Sequence, residues 1–169
     1  GVLLRERGIT MPVVVLNADA DSFDAMAANR LEPEIYSLRS LHEFAAAVER
    51  YGEQRYPIHV KLDTGMHRLG FVEEELPALL DALARYGRTV RVASVFAHLC
   101  TSDDPAQDDF TRLQIARFDR MSSRIAEALP YPVLRHTANS AAIERFPEAQ
   151  YDMCRLGLGL YGFGFEHNA

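Results

Sequence analysis

Six short apolar stretches alternate along the chain with segments of helical periodicity, and no hairpin turn joins any two of them. The stretches fall at residues 12–16, 34–38, 57–62, 90–99, 133–136 and 152–161. They lack a consistent polar face, which is typical of strands covered on both sides of a parallel sheet. Parallel neighbours need a crossover connection, and the helical segments provide one. The sequence therefore predicts an α/β fold with a parallel sheet.

The segments between the predicted strands carry signals that begin and end helices. Ser40 and Glu43 form a capping-box pattern, and apolar residues then recur at helical spacing until Gly52. The longest predicted helix begins at residues 104–105 and ends before Pro130. Further helices are predicted up to Gly8 and over residues 21–30, 76–86 and 139–145.

Polar residues lie at or beyond the ends of several predicted strands, namely Lys61, His98, Asn139 and Arg155. Barrels and doubly wound sheets both build their active sites at this place. No glycine fingerprint of a dinucleotide-binding fold follows the first strand, which favours a barrel. An intact barrel has eight strands in about 250 residues. The sequence therefore predicts an incomplete TIM (β/α)8 barrel with about six of the eight strands.

Composition and charge exclude several classes of partner. The 169 residues carry a formal net charge of −6 without a lysine or arginine run, which argues against nucleic acid or an anionic membrane as the main partner. No apolar run approaches the roughly 18 residues of a membrane span. Cys100 and Cys154 lack a paired spacing, as expected for reduced thiols in a cytoplasmic protein. At Gly1 the chain opens in a final helical turn, as expected for a piece of a longer protein.

Residues 59–71 combine cations, a carboxylate and glycines directly after a short strand. Alternation places Lys61 on the strand face opposite Val60, which in an open sheet would be solvent. In the following turn, Gly65 can take a positive φ that directs Arg68 back towards the strand end. Two cations beside one carboxylate are costly unless an anion joins them. We therefore predict an anionic group, from a ligand or from a modified Lys61.

Small polar residues follow the last two predicted strands, where barrels commonly bind phosphate. Asn139 and Ser140 lie at a helix start, where they offer a hydroxyl, an amide and backbone N–H groups to an anion or serve only as the helix cap. Gly157 and Gly159 fit either a close approach to phosphate or close packing of a strand. The residues alone leave both interpretations open.

One arginine and two histidines are the remaining candidates. Arg155 lies in an apolar stretch, so its guanidinium needs a partner, which is either a structural carboxylate or a ligand. His98 and His136 end successive predicted strands, either as hydrogen-bonded core residues or as site residues. Neither an HExxH motif nor a cysteine–histidine spacing for zinc is present, and no metal site is predicted.

Four blocks resemble the alanine racemase family in order and spacing: residues 59–71, 96–98, 136–142 and 151–162. The resemblance spans residues 1–162 and implies the pyridoxal 5'-phosphate-binding barrel of that family. It further implies an isomerase that interconverts L-alanine and D-alanine for peptidoglycan synthesis, with a small amino acid as substrate and a homodimer as the full-length form. Residues 29–37 and His67 also resemble forms fused to a cell-wall peptide ligase, the muramoyl-tripeptide D-Ala-D-Ala ligase.

The resemblance implies roles for individual residues. Arg68 would hydrogen-bond the cofactor's phenolic oxygen, and Lys61 would be carbamylated and pair with Arg68. His98 would face the pyridine ring, while His136 would orient Arg155 towards the ring nitrogen. The rest of the cofactor site would consist of Asn139 together with Ser140, Gly157 and Leu158 around the phosphate.

Two family elements are missing from residues 1–169. The resemblance assigns the cofactor-bearing lysine to the first barrel strand and the second base, a tyrosine, to a C-terminal β domain that reaches in from the partner subunit. Residues 1–169 are therefore predicted to be a partial barrel domain that is inactive by itself. The strands at 12–16 and 152–161 are expected to expose unpaired edges or apolar flanks, which predicts self-association or marginal stability.

Two other functions stay open at this point. A carbamylated lysine followed by two histidines and an aspartate describes a binuclear metal hydrolase barrel. The chain has these residues in that order, as Lys61, His98, His136 and Asp152. The arginines would then have no role. The second alternative is a non-catalytic pyridoxal-phosphate carrier with the same barrel.

Overall fold

The computed structural model describes residues 1–164 and contains a five-stranded parallel sheet. The strands are β1 (Val14–Val15), β2 (Glu32–Ile35), β3 (Tyr56–Lys61), β4 (Val90–Phe96) and β5 (Leu134–His136). Each strand pairs with the next one in the chain, so the spatial order is β1-β2-β3-β4-β5. The predicted domain ends with residues 165–169, which lie outside the described residues.

Helices lie before the sheet and after each strand. They are α1 (Val2–Glu6), α2 (Phe23–Ala28), α3 (Leu38–Arg50), α4 (Leu76–Arg85), α5 (Asp108–Ala128) and α6 (Ser140–Arg145). Shorter 3-10 turns occupy Ala20–Ser22, Glu73–Glu75, Pro105–Gln107, Pro147–Ala149 and Leu158–Tyr161. The sequence predicted a helix at each of the six α-helical places, and this is confirmed.

The helices cover one face of the sheet and form the main core with it. Ile58, Val60 and Leu62 point to this face and are at most 1% exposed, because α3 and α5 bring Phe44 and Phe118 against them. A parallel sheet with helices packed outside it confirms the predicted α/β fold. The sheet forms an incomplete barrel of five strands rather than about six.

The predicted strand at residues 152–161 is wrong. The chain makes isolated contacts there instead, with the Arg155 N–H donating to the Ala138 carbonyl at 2.9 Å and the Asp152 N–H to the Arg135 carbonyl at 3.0 Å. It then enters the 3-10 turn Leu158–Tyr161. Glycines allow this bend. The free edge of β5 lies beside this segment, but among residues 1–164 no regular ladder forms between the two.

Two element starts also differ from the predictions. The strand predicted at 34–38 is β2, which begins at Glu32 and ends at Ile35. Ser37, and not Ser40, caps α3: its side chain accepts the Ser40 N–H at 3.1 Å, while the Ser40 hydroxyl accepts the Ser37 N–H at 3.1 Å. The capping box was thus predicted one turn too late, because its third position holds Ser40 and not the glutamate or glutamine of the usual pattern.

The opposite face of the sheet faces the interior of the incomplete barrel and carries polar side chains. Glu34 from β2, Lys61 from β3 and Ser94 from β4 are each at most 6% exposed. Buried polar groups need partners, and here they find them across the sheet: Glu34 pairs with Lys61, and Ser94 hydrogen-bonds His59 and His136. This polar interior leads directly to the carboxyl ends of the strands.

Apolar side chains are exposed at the two ends of the sheet. Val14 and Leu16 are exposed at the β1 edge, and Leu156 and Leu158 are exposed beyond β5. This agrees with the expected unpaired flanks, while self-association stays a prediction. Among the helices of residues 1–164, none has both the length and the apolarity needed to cross a membrane.

Candidate active site

A cavity of about 520 Å³ opens at the carboxyl ends of the strands. Lys61 and Phe96 are the last residues of β3 and β4, and both line it. All but one of the predicted site residues line it: Lys61, Arg68, His98, Asn139, Ser140, Arg155, Gly157 and Leu158. The remaining one, His136, ends β5 and contacts Arg155. The structure therefore brings all the predicted site residues together.

A second cleft of about 320 Å³ lies at the amino ends of the strands and is lined by Arg5, Arg30, Arg55 and Tyr56, among others. Barrel enzymes build their active sites at the carboxyl ends, where the loops that follow the strands converge. The cavity beside Lys61 is therefore the candidate active site.

Arg155 is held by a dense set of hydrogen bonds. Nη1 donates to Nδ1 of His136 at 2.8 Å, and Nη2 donates to the carbonyl oxygens of Ala97 at 2.7 Å and Thr137 at 3.1 Å. Burial lowers the pKa of the Arg155 guanidinium to about 10, so it stays a cation at neutral pH. Within residues 1–164 no acceptor engages its Nε–H. The guanidinium is fixed, and this N–H remains for a ligand in the cavity.

Both histidines of the site are neutral at physiological pH. Burial, and then the charge of Arg155, lower the pKa of His136 to about 3. Burial followed by the charges of Arg155, Arg68 and Lys61 lowers the pKa of His98 to about 4. His98 therefore lines the cavity as an uncharged imidazole. His136 accepts a hydrogen bond from Arg155.

Phe96 is a site residue that sequence reasoning did not select. Its ring stacks on His136 with a centroid distance of 5.1 Å and an interplanar angle of 1°. The guanidinium carbon of Arg155 lies 5.4 Å from the ring centroid, and Nζ of Lys61 lies 5.8 Å from it. The ring thus supports two cations at once. Phe96 belongs to one of the blocks that carry the family resemblance, and this membership could have identified it as a site residue.

Glu34 is an anion beside Lys61. The sequence predicted an anion there from a ligand or from a modified Lys61. Oε1 of Glu34 lies 2.8 Å from Nζ of Lys61, an ion pair whose angle falls outside that of a directional hydrogen bond. Oε2 accepts the backbone N–H of Asn17. The side chain of Glu34 is 1% exposed and that of Lys61 is 8% exposed. The sequence gives no local signal that Glu34 is buried, because glutamates alternate with apolar residues in Glu32–Ile35.

The loop that carries Arg68 is built on a turn at Asp63, as predicted. Oδ1 of Asp63 accepts the N–H groups of Gly65 at 2.9 Å and His67 at 3.0 Å, and Gly65 has a φ of +137°. At Gly70 a Cβ would lie 2.6 Å from the backbone nitrogen of Asp63, so the loop closes tightly there. Arg68 is exposed beside the cavity and has no hydrogen bond within residues 1–164.

The unmodified ammonium of Lys61 pairs with Glu34. It would repel the guanidinium of Arg68, so the expected pairing of these two residues requires a carbamylated Lys61 and stays a prediction. Carbamylation of Lys61 stays a prediction.

Ser140 and the segment that follows Arg155 form the second side of the cavity. The Ser140 hydroxyl oxygen accepts the N–H groups of Gly157 at 3.0 Å and Gly159 at 3.1 Å. A Cβ at Gly159 would lie 2.7 Å from Cδ1 of Leu156, the end of an exposed side chain that can move aside. The Gly157 N–H is therefore already used, whereas no acceptor within residues 1–164 engages the Leu158 N–H.

Asn139 acts as a structural cap. Its Oδ1 accepts the Ala142 N–H at 3.0 Å and the Ser102 hydroxyl at 2.8 Å, and its Nδ2 donates to the Leu99 carbonyl at 3.0 Å. The side chain fixes the start of α6 against the loop after β4. This favours the helix-cap interpretation that the sequence left open.

The metal hydrolase alternative finds no matching geometry. Oδ2 of Asp152 accepts the Arg135 N–H at 2.8 Å, and both ring nitrogens of His136 are engaged, by Ser94 and Arg155. Among residues 1–164, no three His, Cys, Asp or Glu side chains are placed so that they could hold one metal ion together. The residues of this alternative, Lys61, His98, His136 and Asp152, therefore lack the arrangement that it requires.

Comparisons with known proteins agree with this geometry. The family model described as "Alanine racemase, N-terminal domain" matches residues 1–164. The alanine racemase of Symbiobacterium thermophilum is 37% identical over 96% of this chain and 42% of its own length. That of Nitratidesulfovibrio vulgaris strain Miyazaki F is 41% identical over 94% of this chain and 42% of its own length.

Solved structures show the same relationship. The alanine racemase of a D-cycloserine-producing Streptomyces lavendulae superposes with a TM-score of 0.86 at 28% identity, covering 96% of this chain and 43% of that one. The alanine racemase of Clostridium difficile 630 in complex with cycloserine superposes with a TM-score of 0.85 at 27% identity. The match covers 95% of this chain and 44% of that one. The chain spans 42% of the length of the two curated relatives above, and by its family match over residues 1–164 it belongs to the alanine racemase N-terminal domain family.

Proposed function

We propose that this chain is part of the pyridoxal 5'-phosphate-binding barrel of an alanine racemase, an isomerase that interconverts L-alanine and D-alanine. The observation that carries the proposal is the convergence of four separate sequence blocks on one cavity around the Arg155 guanidinium. The D-alanine product would serve peptidoglycan synthesis. The full-length protein would be a cytoplasmic homodimer, and its fusion to a cell-wall peptide ligase is a further proposal from the sequence resemblance.

The residues of the cavity fit this cofactor. Pyridoxal phosphate has an anionic phosphate, a phenolic oxygen and an aromatic ring with one nitrogen. The cavity offers the Ser140 hydroxyl and the Leu158 N–H on one side, the Arg68 guanidinium on another, and His98 and Arg155 in its lining. When bound, the cofactor withdraws electrons from the amino acid's Cα–H bond and so makes that proton removable.

Arg155 sets the electronic character of the site. A guanidinium can only donate hydrogen bonds, so Arg155 requires the ring nitrogen to be an unprotonated acceptor. The Nε–H, which has no acceptor within residues 1–164, is the donor available for this contact. Arg155 would thereby limit the electron withdrawal that the cofactor supplies, which would favour racemisation over transamination.

The other residues bind and orient. Ser140 and Leu158 would hold the phosphate, and Gly157 would shape the turn that presents them. The neutral His98 would lie against the pyridine ring without adding a charge. Arg68 would donate to the phenolic oxygen, since its guanidinium has no hydrogen bond within residues 1–164. Asn139 would act indirectly, by fixing the start of α6.

Lys61 acts beside Arg68 in this proposal. The resemblance implies a carbamate on Nζ, which would place a second carboxylate next to the buried Glu34. Two like charges at such a distance are unfavourable, so we expect Glu34 and carbamylation to compete for the lysine. The groups that transfer protons, the cofactor lysine and a tyrosine, are proposed to lie outside residues 1–169. These residues alone would then be a partial, inactive domain.

The test uses the full-length protein. We expect it to convert L-alanine to D-alanine with bound pyridoxal phosphate, measured by chiral analysis and by the cofactor's absorbance. Arg155→Glu should build up a new long-wavelength absorbance band and increase transamination, because a carboxylate favours a protonated ring nitrogen. A protein that neither binds the cofactor nor racemises alanine would refute the proposal, and an unchanged spectrum in Arg155→Glu would refute the role of Arg155.

A further inference from the structure

A continuous line of hydrogen-bonded side chains crosses four strands and ends at Arg155. Oε2 of Glu32 lies 2.7 Å from Nε2 of His59, and Nδ1 of His59 lies 2.6 Å from Oγ of Ser94. The same Oγ lies 3.0 Å from Nε2 of His136, whose Nδ1 lies 2.8 Å from Nη1 of Arg155. One residue from each of β2, β3, β4 and β5 takes part, and the sheet's register sets their spacing.

The middle of this line is shielded from solvent. His59, Ser94 and His136 are 6%, 0% and 5% exposed, and the side chain of Glu32 is 14% exposed. Donors and acceptors without partners are costly at such depth, so each hydrogen must have an acceptor within the line. That requirement allows the proton positions to be deduced from chemistry.

The direction of the line follows from its two ends. Arg155 can only donate, so Nδ1 of His136 must accept and its single proton must lie on Nε2. That N–H donates to Ser94, whose own hydroxyl hydrogen must then go to Nδ1 of His59. His59 in turn carries its proton on Nε2 and donates to the carboxylate of Glu32. Each N–H and O–H hydrogen in the line then has one acceptor.

The competing arrangement fails at Ser94. If His59 were doubly protonated beside Glu32, both histidines would donate to the serine oxygen. The serine hydrogen would then need another acceptor, and none engages it within residues 1–164. The two buried imidazoles are therefore both neutral and both protonated on Nε2.

The consequence concerns the orientation of Arg155. His136 is the one side chain among residues 1–164 that hydrogen-bonds the guanidinium, since the other contacts are to backbone carbonyls. A rotated or oppositely protonated His136 would turn an N–H towards that cation. Ser94 prevents this by accepting from Nε2, and Phe96 fixes the ring plane by stacking.

We propose that Glu32, His59 and Ser94 are positioning residues for Arg155, through a one-way hydrogen-bond line that holds His136 as the acceptor. The benefit to catalysis rests on the proposed function, in which Arg155 faces the cofactor's ring nitrogen. The proton positions do not depend on it. Through this line, the site extends from Arg155 at the cavity to Glu32 in β2.

The direct test is nitrogen NMR of the full-length protein labelled with 15N-histidine. We expect His59 and His136 to give the shift pattern of neutral imidazoles with Nε2–H at about pH 7.5. A pattern of Nδ1–H for His136, or of an imidazolium for His59, would overturn the proposal. This readout needs no turnover, so it separates a failure of this inference from a failure of the racemase assignment.

A pair of serine variants tests the consequence for catalysis. Ser94→Ala breaks the line, while Ser122→Ala removes an equally buried hydroxyl that bonds Phe118 and Arg135 outside it. We expect Ser94→Ala to shift both histidine signals and lower kcat for alanine about tenfold with little change in KM, below the roughly 100-fold that a misplaced group can cost. Ser122→Ala should leave the histidine signals and kcat unchanged. Equal histidine shifts and equal kcat in the two variants would refute the proposal.

Discussion

Arg155 and Arg68 line the same cavity, but the structure treats the two guanidinium groups in opposite ways. Arg155 is half-buried and bonded to His136 and to three backbone carbonyls. Arg68 is exposed on a loop and has no hydrogen bond within residues 1–164. One cation is fixed by the barrel itself, and the other can take its orientation from a ligand or from parts of the protein beyond these residues.

This difference follows from where each arginine lies. The polar interior of the sheet reaches Arg155 through His136, whereas Arg68 is carried by the loop between β3 and α4. A group that is bonded to a rigid sheet is held in advance of binding, and a group on an unbonded loop is free to adapt. Variants on the sheet side should therefore affect stability as well as activity, and variants on the loop side should affect activity alone.

The largest effect on stability is expected at Glu34. Glu34→Gln leaves the buried ammonium of Lys61 without its counter-charge, which should lower the free energy of unfolding of the full-length protein by about 3–5 kcal/mol. Urea unfolding monitored by circular dichroism measures it. The double variant Glu34→Leu, Lys61→Met removes both charges and should recover most of the loss. If Glu34→Gln is as stable as wild type, the ion pair is not a structural element.

The same variant reports on the modification of Lys61. Because Glu34 and a carbamate would repel, Glu34→Gln should increase the carbamate signal in 13C NMR after equilibration with 13C-bicarbonate. A stronger signal in wild type than in Glu34→Gln would contradict the expected competition.

Arg155→Met should affect both properties. It removes a preorganised donor from the cavity, an effect of about 100-fold to 1,000-fold in kcat. It also leaves the carbonyls of Ala97 and Thr137 without a donor, at about 1–3 kcal/mol of unfolding free energy. Racemisation assays and urea unfolding measure the two effects. Loss of activity with unchanged stability would show that the barrel does not fix this guanidinium.

Much of the site could be predicted from the sequence because its residues break the local pattern. Arg155 is a charge in an apolar stretch, and Lys61 and His98 are polar residues at strand ends. Glu34 breaks the pattern too, but it lies in Glu32–Ile35, where glutamates alternate with apolar residues. That alternation indicates a strand with one face in solvent. Only the register with β3, which brings Lys61 against it, makes the position buried.

The strands that could be predicted from the sequence are those that pair with a neighbouring strand in the sheet. The five strands that were confirmed each follow a helical segment or precede one, and their pairing partners lie next in the chain. Residues 152–161 have the composition of a strand, yet they form a bend and the 3-10 turn Leu158–Tyr161. A strand requires a partner, and sequence composition does not report one.

Arg68→Gln should be the reverse of Arg155→Met. We expect kcat of the full-length protein to fall about 10-fold to 100-fold, because a positioned donor to the cofactor is lost. The free energy of unfolding should stay within about 0.5 kcal/mol of wild type, as for exposed residues with no bonded partner. Kinetics and urea unfolding on the same preparations check both. Marked destabilisation would show that Arg68 is bonded in the complete protein and would remove the contrast between the two arginines.

The smallest effect is a pH dependence of stability from His98. Burial, with the charges of Arg155, Arg68 and Lys61, lowers its pKa from 6.5 to about 4. Between these values the unfolded chain binds a proton that the folded chain does not, so stability is complete above about pH 7 and is lost as the pH falls. At pH 5.5 the loss from this residue is about 1 kcal/mol. Urea unfolding at pH 7.5 and 5.5 should therefore show a smaller difference for His98→Gln than for wild type, by about that amount. His98 touches the cavity that both arginines line, so equal differences in the two proteins would show that this end of the site is more hydrated than its geometry indicates.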